Sequence, residues 1–154
     1  MRATTLLLLA ACAALLATGC TTATKGNVLE AERMKLKDCS AKGLPGASAG
    51  KAVLMEKDTS EATGVIDLAK GDYDVVVYMQ GAATDEDAVY VTVAGGEKRR
   101  IYGEPHGEIV AAVDMATEDR SFPVTIKMDG PCEVLLTTAE TNVYVDRIEF
   151  TRKP

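Results

Sequence analysis

Apolar side chains in this chain recur at every second position far more often than at every third or fourth. From Ala88 to Ala94, Val89, Val91 and Val93 fall on one face and Tyr90 and Thr92 on the other. Tyr73 to Met79 is β-branched and aromatic, and Ile109 to Met115, Phe122 to Met128, Glu133 to Thr138 and Val143 to Thr151 continue the series. Val53 to Lys57 and Gly64 to Ala69 read as further strands, while Leu29 to Glu32 and Met34 to Lys37 fit either short strands or one helical turn. Gly71-Asp72, Gly95-Gly96 and Asp129-Gly130-Pro131 punctuate the runs. Short strands with turn signals about every dozen residues predict an all-β fold, an antiparallel β-sandwich or jelly roll. There is no internal repeat and no second domain.

The first residues follow a different pattern. Arg2 is the only charge before Lys25, and an apolar stretch from Leu6 to Leu16 leads into Ala17-Thr18-Gly19-Cys20. A positive end, a short apolar run and a small-residue exit describe a secretory signal too short to span a membrane. Ala-Thr-Gly-Cys resembles a bacterial lipobox, which implies cleavage after residue 19 and lipidation of Cys20. Several acyl chains bury enough CH2 groups for a stable anchor. Residues 20–27 then read as a lipidated tether and residues 28–154 as one domain. By the same resemblance, Thr21 in place of an aspartate favours an outer over an inner membrane of a bacterial cell envelope.

Composition narrows the function classes. The formal charge is −6, which argues against nucleic acid and against direct binding to anionic lipid. With no tryptophan and only two phenylalanines, the core must rest on Val, Ile, Leu and Met. Cys12 would leave with the signal and Cys20 would be modified. Cys39 and Cys132 then remain in an oxidising compartment, where a disulfide between them is expected.

Four segments in order carry a further signal: Leu29-Glu30-Ala31-Glu32, then Ala47-Ser48-Ala49-Gly50-Lys51, then the Gly71-Asp72-Tyr73 hairpin, then Asp146-Arg147-Ile148-Glu149-Phe150. They resemble the galactose-binding-like β-sandwich, and most closely carbohydrate-binding modules of families six and thirty-five. The resemblance spans nearly all of Leu29 to Phe150. It implies a non-catalytic, surface-tethered lipoprotein that binds glycan or cell-surface polysaccharide. The competing reading keeps the sandwich and the anchor but has no sugar site, and makes the protein a structural or protein-interaction lipoprotein.

Two constellations carry the chemistry. Asp146 shares strand parity with Ile148 and Phe150, and Glu30 and Glu32 share it with Met34 and Leu36 if that segment is extended. Carboxylates turned inward together need a cation or donors. Hard oxygens are what Ca²⁺ takes. The resemblance assigns a structural calcium to Glu30, Glu32, Asp146 and the carbonyl of Lys51. It also places a sugar site in the loops at one end, where Tyr102, Asn142 and Glu104 are the candidate contacts, with His106 as a further donor or a plain exposed loop residue. Catalysis has little support. Gly46-Ala47-Ser48-Ala49-Gly50 fits a nucleophile-elbow pattern, but no helix signal follows it and His106 is the only histidine.

Overall fold

The computed structural model describes residues 23–154. Its strands are β1 (Thr24–Lys25), β2 (Val28–Glu30), β3 (Lys35–Lys37), β4 (Ser40–Gly43), β5 (Lys51–Met55), β6 (Glu61–Leu68) and β7 (Gly71–Gln80). They continue with β8 (Ala88–Val93), β9 (Arg99–Tyr102), β10 (Val110–Ala111), β11 (Val113–Asp114), β12 (Phe122–Ile126), β13 (Gly130–Thr138) and β14 (Val143–Arg152). The only helical element among the described residues is a 3-10 turn at Ala31–Arg33.

The strands form the two sheets of a sandwich. The first sheet runs β1-β6-β13-β8-β9-β11, with β3 also on the β6 edge. The second runs β10-β7-β14-β5-β4, with β12 also on β7 and β2 also on β14. Apart from β1 against β6, all pairs are antiparallel.

Alternation explains the packing. Ile66 and Leu68 of β6, Val89 and Val91 of β8, and Val134 and Leu136 of β13 turn inward from the first sheet. Val75, Val77 and Met79 of β7 and Val145, Ile148 and Phe150 of β14 meet them from the second. Each such side chain contributes about 1.5–3 kcal/mol on burial. The Tyr73 hydroxyl donates to the Ala69 carbonyl (2.9 Å) and pins the Gly71 hairpin.

Three expectations change. Ile109 to Met115 is not one strand: Val110 pairs with Met79 in the second sheet and Val113 with Tyr102 in the first. Between them, the Ala112 N–H donates to the Val77 carbonyl (2.8 Å), so the chain crosses from sheet to sheet there. The domain also starts before Val28, because Thr24 and Lys25 pair with Ile66 and Asp67. The signal segment and Cys20 lie outside the described residues.

The third change is the disulfide. Cys39 and Cys132 are both free. Cys39 follows β3, with its thiol 3.2 Å from the Glu61 carbonyl, whereas Cys132 pairs with Ile66. Five residues of strand separate those two points on β6, about 17 Å, far beyond the roughly 4.4–6.8 Å that a disulfide permits between Cα atoms. Burial raises both thiol pKa values, so both stay protonated.

Candidate functional site

At one end of the sandwich, the β7–β8 and β9–β10 loops and the β13–β14 turn surround a cavity of about 260 Å³. Thr84, Asp87, Ala88, Arg100, Tyr102, Glu104, His106, Met115 and Glu140 line it. Tyr102 closes β9 opposite Ala88, and Arg100 stands two residues back on the same face. The loop from Gly81 to Asp87 is drawn tight: a Cβ on Gly81 would come within 2.5 Å of the Asp87 Cβ and 2.8 Å of its Cα. Only glycine allows that approach.

A polar network fixes the wall. Asp87 is only 7% exposed, and its Oδ2 lies 3.0 Å from His106 Nε2. Glu140 Oε2 accepts from the backbone N–H groups of Asp87 (3.1 Å) and Ala88 (3.0 Å), and its Oε1 pairs with Arg100. Desolvation raises the Asp87 pKa, helped by the Glu140 charge and opposed by the His106 hydrogen bond. Burial also pushes on Glu140, but the Asp87 amide and the Arg100 guanidinium outweigh it and hold that pKa low. Arg100 Nε is buried with no partner. The wall therefore offers one aromatic ring beside fixed donors and acceptors.

The expected sugar contacts separate here. Tyr102 and Glu104 line the cavity; Asn142 does not. Asn142 holds a left-handed backbone (φ 64°), and its Nδ2 donates to Glu86 Oε1 (2.7 Å), so it shapes the turn and ties down the β7–β8 loop. His106 is an exposed turn residue, as one of its two readings had it, and Asp87 holds its ring.

The acidic set forms a second corner. β14 is flanked on one side by β5, up to Val145, and then by β2, from Arg147. Its register against β7 slips between Val145 and Arg147. Asp146 is the residue of that bulge, 0% exposed, at the junction of β5 and β2. Its Oδ1 accepts from the Ser48 N–H (2.9 Å), and its Oδ2 pairs with Arg147 Nη1 (2.5 Å). The Ser48 hydroxyl sits 2.6 Å from Glu30 Oε2 and 3.0 Å from Asp146 Oδ1, and its one proton can serve only one of them. Glu32 Oε2 is buried with no partner. Desolvation raises the Glu32 pKa, and the charges of Glu30 and Asp146 add to the shift.

Glu30, Glu32 and Asp146 thus do share one corner, with differences from expectation. The 3-10 turn breaks the alternation, so Glu30 and Glu32 do not share a face with the buried Met34. The loop contact to Asp146 comes from Ser48; Lys51 opens β5 opposite Gly43. Gly50 (φ 72°) supplies a left-handed turn, with nothing packed where a Cβ would stand. Among the described residues, no three acidic, His or Cys side chains are spaced to hold a metal ion as they stand. The donor chemistry still suits calcium, because a carboxylate oxygen without a donor and two carboxylates sharing one proton are what a cation would relieve. Ser48 stands in the turn that leads into β5, not at a strand-to-helix elbow.

No family model and no curated protein matches the chain. Solved structures do. A β-(1,4)-mannanase of Podospora anserina carrying a family 35 carbohydrate-binding module superposes with a TM-score of 0.66 at 14% identity, over 82% of this chain and 27% of that one. An exo-β-1,3-galactanase of Phanerochaete chrysosporium gives 0.63 at 17%, over 82% and 29%. A family 35 carbohydrate-binding module of Clostridium thermocellum gives 0.57 at 17%, over 81% of this chain and 98% of that one. This chain folds as a carbohydrate-binding-module-like β-sandwich. It spans less than a third of the two enzymes and nearly the whole of the free module.

Within this sandwich, sequence reasoning missed Asp87, Arg100 and Glu140. Asp87 ends an Asp-Glu-Asp run that reads as a solvated turn. Its proximity to Gly81 and His106 is a tertiary fact. Arg100 had a usable signal, since Arg100 and Tyr102 alternate with the buried Ile101.

Proposed function

We propose that the protein is a non-catalytic, lipid-anchored glycan-binding module of the bacterial cell envelope, with a structural calcium. The observation that carries the glycan reading is the cavity beside Tyr102. It sets an aromatic ring among carboxylates, a guanidinium and an imidazole that are already held by one another. Pyranoses offer an apolar face and a rim of hydroxyls, which suits such a wall. Tyr102 stacks on the ring, and Glu104, His106 and the Asp87 edge bind hydroxyls. Asn142 keeps the neighbouring loop in place. The solved neighbours support this by fold and by what those proteins carry.

Calcium takes Glu30, Glu32 and Asp146, around the Ser48 that Glu30 and Asp146 both hold. Its support is the partnerless Glu32 oxygen. Lipidation at Cys20 rests on the lipobox-like Ala-Thr-Gly-Cys. The non-catalytic reading is supported by the one histidine and Ser48 belonging to different clusters, His106 held by Asp87 and Ser48 by Glu30 and Asp146.

The test is a glycan array on the full chain, run with calcium and with a chelator. Selective signal that Tyr102→Ala lowers about tenfold or more supports the reading. Silence across plant, algal and microbial glycans sinks it.

A second reading, a protein-interaction lipoprotein, draws on a groove at the opposite end. It has a volume of about 620 Å³, between Val93–Glu97 and Phe122–Met128, and Met128 there is 79% exposed. Retained glycan silence together with a protein partner lost on Met128→Glu would favour it.

A further inference from the structure

The cavity at Tyr102 does not end at its own wall. Arg100 and Met115 also line a second bay of about 350 Å³, so the two hollows adjoin along the first sheet. The pairing of β8 with β9 explains why. Ala88 stands opposite Tyr102 and Tyr90 opposite Arg100, while Val89 and Ile101 between them are buried in the core. Strand side chains alternate, so Tyr90, Arg100 and Tyr102 share the outer face. Met115, just past β11, continues that row: its N–H donates to the Arg100 carbonyl (3.1 Å), and it is 52% exposed.

Tyr90 and Tyr102 are thus diagonal neighbours on adjacent strands, with Cα atoms about 7–8 Å apart. One pyranose stacks on one phenol ring, so two rings at that offset meet two different sugars. Tyr90 also offers its flat face. Lys98 Nζ lies over the ring, 4.0 Å from its centroid. Lys98 is exposed, and such a surface contact is weak enough for a ligand to displace. The other cations of the bay are held: Arg99 by Glu97 (2.7 Å) and Asp114 (2.7 Å), and Arg100 by Glu140. The Lys98 ammonium, held only by the ring, can donate to hydroxyls once it is lifted away.

We infer that the glycan site is a trough of two subsites with Tyr90 as its second stacking platform, and that its ligand is a chain of linked sugars laid over β8 and β9 rather than a single terminal sugar. The inference rests on the glycan reading of the Tyr102 cavity and adds the length of the ligand to it.

The experiment uses the full chain on an array that prints plant, algal and microbial glycans as series of increasing length, from single sugars upward. Within a bound series, the signal should rise about tenfold or more from the single sugar to the longer members. Tyr90→Ala should remove that rise and leave the single sugar's signal as it was, which also reports that the variant folds. Tyr90→Phe keeps the ring and should bind as the unsubstituted chain does. On the unsubstituted chain, acetylation of the Lys98 amine should slow when the strongest long member of the series is saturating, while exposed Lys70 should react as before. Silence across every series overturns the glycan reading and the trough with it. A signal equal at all lengths and indifferent to Tyr90→Ala overturns the trough alone, and Tyr90 then only covers the sheet beside Arg100. Binding of long members lost equally on Tyr90→Phe and Tyr90→Ala overturns the stacking role. Lys98 labelling that ignores the saturating chain overturns the trough as well, and that result needs no variant to fold.

Discussion

Glu32 shows at residue scale how one unsatisfied oxygen links stability to a ligand. Its folded pKa lies above the ordinary carboxylate value because burial and the charges of Glu30 and Asp146 disfavour ionisation. A raised carboxyl pKa means that the folded state holds its proton longer than the unfolded one. Stability from this group is therefore present below the unfolded pKa and lost as pH rises through the folded one. Without metal at neutral pH, Glu32→Gln should raise the melting temperature, since it removes a disfavoured charge. With calcium the sign should reverse, since the same substitution removes a ligand. Calcium at a hundredfold excess over Kd should stabilise the native chain by about 2.7 kcal/mol, and Asp146→Ala should abolish the response. Melting curves that ignore both calcium and chelator would remove the metal. Gly81 gives a second prediction. Gly81→Ala puts a methyl 2.5 Å from the Asp87 Cβ, so it should weaken glycan binding through the displaced loop while Tyr102 is untouched. Binding unchanged by that substitution would mean the loop does not shape the site.

At the scale of elements, legibility followed alternation. β7, β8, β12, β13 and β14 are readable because one face of each is buried and period two is the consequence. β9 was missed because Arg-Arg-Ile-Tyr buries only Ile101, and its polar partners Asp114 and Glu140 come from elsewhere in the chain. The Ala112 crossing was hidden because both of its halves are apolar. The bulge at Asp146 was half visible, as an aspartate in an apolar strand, but the slip against β7 depends on where β5 ends and β2 begins. The cysteines failed for a related reason: compartment says whether two thiols would bridge, while register says whether they meet. Mass spectrometry of the unreduced mature chain should therefore find free thiols at Cys39 and Cys132, and reductant should leave the melting temperature unchanged. A bridged peptide pair would contradict the β3–β6–β13 register. In the core those strands share, Leu136→Ala should cost about 2–5 kcal/mol, measured by denaturant unfolding.

The whole molecule places its features on different edges. The acidic corner lies where β14, β2 and the β4–β5 loop meet, and the cavity lies where the first sheet ends at β9 and β11. The fold class was legible from strand spacing and segment order, whereas the cavity was not, because its wall comes from three loops that fold together only once Gly81, Asp87 and Glu140 are in place. This separation makes a quantitative expectation possible. Sites more than about 7–10 Å apart with no shared partners usually combine within about 0.3–0.5 kcal/mol. The β3 edge and the β9 edge are separated by roughly twice that distance, with β6, β13 and β8 between them. If lipid on Cys20, four residues before the paired Thr24, holds the domain to the bilayer and the cavity meets glycan, the two events should be independent. The affinity of the acylated chain for its glycan should then agree within a factor of about two between detergent solution and vesicles. Calorimetry with the strongest array ligand, in both settings, is the measurement. An affinity that collapses on vesicles would place the cavity against the membrane. An affinity that rises steeply would mean that lipid headgroups complete the site. Agreement between the two settings would mean that β9 presents Tyr102 away from the bilayer.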